Sequence, residues 1–383
     1  MTHVADFLVI GAGIAGASVG HWLAGRGSVV LLERESQPGY HTTGRSAALF
    51  LESYGTPQVR ALTSASRAFL DHPPAGFTDV PLLGPRGAML IGTEAQRELV
   101  DAHWDVVRAL MPHARRLDGA ELRALVPVLR PVITDGVLEP DAADIDVHAL
   151  HQGYLRAVKR SGGRVVNDAE VVSLARTGGA WQARTRDGAT WQAPVVVNAA
   201  GAWCDVVARL AGVPPIGLVP KRRSAFVFAP PAGMDGSRWP TFAAVDETWY
   251  VKPETNNTLI GSPANEDPAE PHDVQPEELD IAIGIDRIQA MTTLEIRRPS
   301  RTWAGLRSFV ADGDLVGGFD PAAEGFFWLA AQGGYGIQTS AAMGEACAAL
   351  AAGEPLPARL AGFGLTAAML SPARLRAALS SGA

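Results

Sequence analysis

Gly11-x-Gly13-x-x-Gly16 can seat a pyrophosphate. The first glycine permits a tight turn, the second lets phosphate approach the backbone, and the third allows close helix–strand packing. The helix that follows directs its N-terminal N–H groups at the phosphate charge. Glu33 lies about 20 residues further on, where a carboxylate can accept hydrogen bonds from ribose hydroxyls. Two further positions suit a different chemistry. Arg222-Arg223 and Arg307 are candidates for gripping a carboxylate, because the planar guanidinium fork binds one through two parallel hydrogen bonds. Arg307 sits in the apolar run Gly305-Leu306-Arg307, an unusual setting for a solvated charge.

The elements that must position these groups can be read from periodicity. Phe7–Ile10 is a short apolar run, expected as a buried strand, and 14–23 reads as a helix stopped by Gly25 and Gly27. Val29–Leu32 is a second buried strand ending on Glu33, which closes a βαβ opening. Helices are expected over 57–71, 95–125, 148–160, 276–290 and 340–351. Strands are expected at 89–91, 195–197 and 326–330, with half-exposed strands over 222–228 and 247–261. Residues 164–192 read as a small antiparallel unit with turns at Gly178-Gly179 and Asp187-Gly188. The segments 39–48 and 229–236 have loop composition, and the last dozen residues read as a loosely attached tail. On a strand, alternation points only one of Arg222 and Arg223 at a given face.

Two segments favour FAD over NAD. The strand 195–197 runs into Asn198-Ala199-Ala200-Gly201-Ala202-Trp203, whose small residues let a bulky cofactor pass close to the backbone. The glycine loop Gly333-Gly334-Tyr335-Gly336-Ile337-Gln338-Thr339 opens the late helix, and its free N–H groups offer a partly positive end for a reduced flavin.

Composition narrows the remaining classes. The 383 residues carry a net charge of −7 and are 47% hydrophobic. An acidic chain without a basic face argues against nucleic acid. The two cysteines, Cys204 and Cys347, cannot form a disulfide framework or a metal site, and the nine histidines, His151 included, show no ligand spacing. No metal is expected. The N-terminus lacks the features of a signal peptide, and no apolar run reaches the roughly 18 residues a membrane span needs. A cytoplasmic protein is expected, with peripheral contact at the inner face of a membrane left open.

The chain resembles the D-amino-acid oxidase-like flavoproteins in these three glycine-rich segments. It is similar, along much of its length, to the D-arginine dehydrogenases within that superfamily, in GYHTTGRSAA, YGTPQVRALT, ADIDVHALHQGYLR, VNAAGAWCD, PKRRSAF, TWAGLRSFVADGDLV and AAQGGYGIQTSAAMGEA. The resemblance implies an α/β fold. A Rossmann-type FAD-binding domain (1–50, 144–216, 301–383) would be interleaved with an α+β substrate domain (51–143, 217–300) whose sheet covers the flavin. It implies noncovalent FAD held by Gly11, Gly13, Ile14, Ala15 and Gly16, by Glu33 and Arg34, and by the loop Thr43, Gly44, Arg45, Ser46 and Ala47. Further contacts would come from Val171, from Ala199, Ala200, Gly201 and Trp203, from Gly305, and from Gly333, Gly334, Gly336, Ile337, Gln338 and Thr339.

The implied reaction is oxidation of a D-amino acid by hydride transfer to flavin N5, giving an imino acid that hydrolyses to a 2-oxo acid and ammonia. The handedness of the substrate comes from the resemblance alone. Of the arginine pair the resemblance selects Arg223, beside Arg307. It adds Tyr54 on a loop closing over the substrate and Tyr250 on its carboxylate, and lines the site with Gly334, Ile337 and Gln338. No residue stands out as a general base, so the amine proton is expected to leave to solvent. The acceptor of the electrons, a quinone or another carrier, is open. The alternative is a glycine- or sarcosine-type amine oxidase using oxygen; a flavin-binding module without turnover would lack the arginine clamp.

The departures are instructive. The D-arginine dehydrogenases carry an acid where this chain has Ala88, and a histidine and a threonine where it has Leu49 and Leu51. An unpartnered buried cation is costly. With Thr241 and Ala243, these residues predict an apolar pocket that favours neutral D-amino acids over D-arginine, unless the nearby Glu52 restores the charge.

Overall fold

A computed structural model describes residues 2–264 and 266–380. A six-stranded sheet forms its centre, in the order 164–166, 29–32, 7–10, 195–198, 326–330, 316–319. All strands are parallel except Val316–Phe319. Its middle strands are continuous apolar runs because both faces are buried. Val9, Leu31, Val197 and Phe327 pack with the helices Ile14–Leu23, Val147–Arg160 and Ser340–Ala351. Leu8, Val30, Val196 and Trp328 pack on the other side with Trp181, Ala183 and Trp191. Those last residues belong to a four-stranded sheet, ordered 2–4, 190–193, 180–185, 171–177. The hairpins expected at Gly178-Gly179 and Asp187-Gly188 connect its antiparallel strands. Arg164–Val166 instead extends the central sheet beside Val30–Leu32.

A nine-stranded sheet forms the second portion. From Asp267–Pro268 it runs through 219–228, 258–262, 250–254, 241–244, 88–93 and 133–139 to 115–118, and Arg301–Phe309 pairs along Val219–Val227. One face is packed: Met89, Ile91, Phe226, Phe242 and Val251 form a core that also takes in Leu122 and Ile288, from the helices Gly119–Leu125 and Glu278–Met291. The alternate residues face a cavity. A small sheet of Leu49–Phe50, Ala143–Ile145 and Leu83–Pro85 joins the two portions.

Three expectations are corrected. The helix expected over 95–125 is two helices, Arg97–Leu110 and Gly119–Leu125, separated by the strand Arg115–Asp118 that caps the sheet edge. The first strand of 301–383, assigned to the nucleotide portion, is hydrogen-bonded into the large sheet. The tail is anchored up to residue 380: Ala373–Ser380 is a helix, Leu375 is buried, and Arg374 and Arg376 pair with Asp312 and Asp320. Residues 381–383 lie outside the described residues. No helix among the described residues is long and apolar enough to cross a membrane.

Candidate active site

The glycine turn opens one end of a long cavity of about 590 Å³, within the ~300–1,000 Å³ usual for small-molecule sites. Gly11 has φ +95°, and a Cβ there would stand 2.6 Å from the Ala199 carbonyl oxygen. The turn is therefore closed against the neighbouring strand, as a phosphate cradle requires. Glu33 is buried; its carboxylate accepts from the N–H of Ala12 (2.9 Å) and of Glu35 (3.0 Å), which fixes it beside the turn. Thr43 Oγ accepts from the N–H of Ile14 (3.0 Å). His151 is buried and bonds the Ala12 carbonyl (2.8 Å), a structural use. Arg34 lies over the Trp203 ring at 4.9 Å.

The segment 40–47 forms the roof and is pinned to the strand Arg301–Phe309. Thr42 Oγ donates to the Leu306 carbonyl, Arg45 donates to the carbonyls of Val274 and Ala304, and Trp303 Nε1 donates to the Arg45 carbonyl. Arg45 also pairs with Asp273. Thr43, Arg45, Ser46, Ala47, Val171, Ala199, Ala200, Gly201, Trp203, Gly305, Gly333 and Gly336 all line the cavity with Gly11, Gly13, Ile14, Ala15, Glu33 and Arg34. Gly16, Gly44 and Thr339 do not. A Cβ on Gly16 would meet the Gly11 oxygen at 1.9 Å, Gly44 closes onto Gly39, and the Thr339 hydroxyl donates to the Tyr335 carbonyl. These three shape the turns from behind.

The other end of the cavity is where the large sheet faces the glycine loop. Arg223 lies across from Gly305, and Arg307 across from Lys221, in one antiparallel register. Alternation sends Arg222 to the opposite face, where it pairs with Glu277 (2.5 Å), Asp280 (3.2 Å) and Asp267 (3.5 Å). Arg223 and Arg307 both face the cavity with Tyr54, Tyr250, Gly334, Ile337 and Gln338. Arg307 Nη1 donates to the Tyr54 hydroxyl at 3.4 Å, and the Tyr54 ring meets Tyr335 edge-on at 4.9 Å. Burial lowers the pKa of Arg223, and Arg307 lowers it further. Burial opposes the charge on Arg307 too, but Tyr54, Tyr250 and Glu266 outweigh it and raise its pKa.

The Gln338 side chain is buried and holds the loop that carries Tyr54: its oxygen accepts from the Leu51 N–H (3.1 Å), and its amide donates to Thr63 Oγ (3.0 Å). Gly334 is packed so closely under Arg307 that a Cβ would sit 3.0 Å from its Cζ and Nη1. Gly334→Ala should tilt the guanidinium and lower kcat/KM by roughly 10- to 100-fold. Steady-state kinetics beside an unchanged flavin spectrum would check this; unaltered kinetics would remove Arg307 from the site.

Leu49, Leu51, Thr241 and Ala243 line the same end. Ala88 does not. It is buried against Leu51 and Ala142, so Leu51, which lines the cavity, covers it. Glu52 pairs with Arg67 at 3.8 Å and does not line the cavity, so it restores no charge there. The apolar pocket also needs amendment. Lys252, two residues along from Tyr250 on the same strand face, lines it, paired with Asp144 (3.1 Å) and Glu254 (2.5 Å). Thr241 Oγ is buried there without a hydrogen-bond partner among the described residues. Lys252, Glu247 and Glu266 were missed from sequence; period-two alternation from Tyr250 could have found Lys252.

A cavity running from a dinucleotide turn to paired arginines defines the class as a dinucleotide-binding oxidoreductase. The chain belongs to the FAD dependent oxidoreductase family, whose profile matches residues 6–350. It binds FAD, and the lining residues just named are those that would hold it. Among curated relatives, L-2-hydroxyglutarate dehydrogenase of Escherichia coli O17:K52:H18 is 27% identical over 237 residues, covering 59% of this chain and 54% of that protein. The chain thus spans about half the length of that relative. FAD-dependent oxidoreductase domain-containing protein 1 of Bos taurus is 24% identical over 400 residues, 90% of this chain and 80% of that protein. Among solved structures, glycine oxidase from Geobacillus kaustophilus superposes with a TM-score of 0.80 at 20% identity, over 95% of this chain and 99% of that one. That likeness shows the fold.

Proposed function

We propose that the chain oxidises the CH–NH₂ group of a D-amino acid, favouring neutral side chains over arginine. One observation carries the reading: two half-buried arginines and two tyrosines converge on the far end of the FAD cavity. Arg307 and Arg223 would grip the substrate carboxylate, and Tyr54 and Tyr250 would add hydroxyl donors beside it. That grip orients the adjacent carbon, and orientation is most of what a protein adds to such a reaction. When bound, FAD supplies the hydride acceptor. The glycine loop at Gly334, Ile337 and Gln338 would receive the amine through its carbonyls, and the amine proton would leave to solvent. The electrons would pass on to a quinone or another carrier.

Substrate choice follows from the pocket walls. Leu49, Leu51 and Ala243 suit an apolar side chain; Glu247 also lines the cavity, and Lys252, already paired with Asp144 and Glu254, lies on the same strand face as Tyr250. The D configuration rests on the sequence resemblance alone. A 2-hydroxy acid is the second reading: the same clamp would hold its carboxylate, and the Escherichia coli relative is named for L-2-hydroxyglutarate.

Anaerobic mixing with D- and L-amino acids, glycine, sarcosine and 2-hydroxyglutarate tests this through bleaching of the flavin absorbance. Neutral D-amino acids such as D-leucine or D-methionine should bleach the flavin at least about tenfold faster than D-arginine, as a penalty of about 1.4 kcal/mol or more for setting a cation against Leu49, Leu51 and Ala243 would give. D-Arginine far ahead of D-leucine would overturn the pocket argument. Bleaching by 2-hydroxyglutarate alone would replace the amine by an alcohol. Rapid oxygen consumption with glycine or sarcosine would place the chain with the amine oxidases.

A further inference from the structure

Two like-charged guanidiniums held side by side in a half-buried site repel each other, and something must hold them there. Glu266 does so. Its Oε1 accepts from Arg223 Nη2 at 2.8 Å and from Arg307 Nη1 at 3.3 Å. It stands behind the two arginines, since it does not itself line the cavity. Arg223 Nε, by contrast, is buried and makes no hydrogen bond among the described residues. The triad therefore keeps a free donor and one uncancelled positive charge.

We propose that Glu266 sets the charge of this clamp: by bridging Arg223 and Arg307 it cancels one of their two charges and matches the site to a ligand with a single carboxylate. The inference rests on the carboxylate-clamp reading above and deepens it. The carboxylate is well placed to stay ionised. Burial opposes its charge, but the two guanidiniums prevail and hold its carboxyl below the ordinary range. Glu266 is brought to this position by the short strand Asp267–Pro268, which pairs with Lys221–Arg222 at the sheet edge. It is a positioning residue, acting on substrate through the arginines. Without it the two guanidiniums would present two uncancelled charges, and a second anionic group would be drawn in.

The test uses the FAD-loaded protein and two probes that differ by one carboxylate, acetate and malonate, each titrated while the flavin absorbance is followed. In the wild type both should bind, with malonate no more than about threefold the tighter. In Glu266→Gln the preference for malonate over acetate should rise at least about tenfold, because a nearby cancelling charge has gone. Glu266→Ala should move it in the same direction, and Glu266→Asp, which keeps the charge, should leave it near the wild-type value. FAD content and melting temperature report whether each variant is folded. A malonate-to-acetate preference that stays within about twofold of the wild type in a folded, FAD-loaded Glu266→Gln or Glu266→Ala overturns the role of Glu266 while leaving the clamp intact. Failure of acetate to perturb the wild-type flavin overturns the clamp itself, and this inference with it.

Discussion

Replacing Arg307 by methionine should lower kcat/KM for the best amino-acid substrate by about 100- to 1,000-fold and leave the protein yellow. The size follows from the position. Arg307 is largely shielded from solvent and holds the hydroxyl of Tyr54 and the carboxylate of Glu266. Truncating one partner of a buried, hydrogen-bonded charge pair costs ~2–5 kcal/mol, and 1.4 kcal/mol is a factor of ten. Methionine keeps much of the volume and removes the charge. FAD should stay bound, because the residues around the glycine turn that would hold its phosphates lie at the opposite end of the cavity. The rate of anaerobic flavin bleaching measures the effect directly. A loss smaller than about tenfold would mean that the substrate carboxylate is held elsewhere.

Gly11→Val should cost the protein its flavin. The residue combines a φ of +95° with a backbone oxygen 2.6 Å from where a Cβ would stand. Left-handed backbone for a β-branched residue costs of order 1–3 kcal/mol, and the blocking atom is backbone of the Ala199 segment, which cannot swing away as a side chain could. A weakening of FAD binding by about 100-fold or more is expected, read as the ratio of flavin to protein absorbance after gel filtration and as the Kd on refilling. Gly188→Val is the control. It too has a positive φ, +89°, but nothing lies within 4 Å of its Cβ position, and it does not itself line the cavity, although Arg186 of the same hairpin does. It should melt lower and stay yellow. If both variants hold FAD equally, the glycine turn is not the phosphate seat.

Where local chemistry decides conformation, the chain could be read directly. The apolar runs Phe7–Ile10 and Val29–Leu32 fall within their expected bounds, as do the helices 14–23, 57–71 and 340–351. Each is bounded by signals within a few residues: glycines, a Thr56 cap followed by Pro57, or a glycine loop. The short strands 133–139, 143–145 and 316–319 were not legible, because their burial comes from partners distant in the chain. The same limit applied at the site. Glycines, arginines and tyrosines could be named as chemical candidates one by one. Their convergence depends on Val219–Phe228 pairing with Arg301–Phe309, and on which face of that ladder each arginine takes.

Ala88 shows the limit most clearly. Set beside the D-arginine dehydrogenases that the sequence resembles, it suggested a missing charge. Only the packed structure shows Leu51 lying over it, Glu52 turned to Arg67, and Lys252 entering the same space from a strand two places away in the sheet. Composition and spacing determine turns, caps and buried runs, because those depend on covalent neighbours. The charge balance inside a cavity is set by side chains from five or six segments at once, and only tertiary packing decides which of them meet.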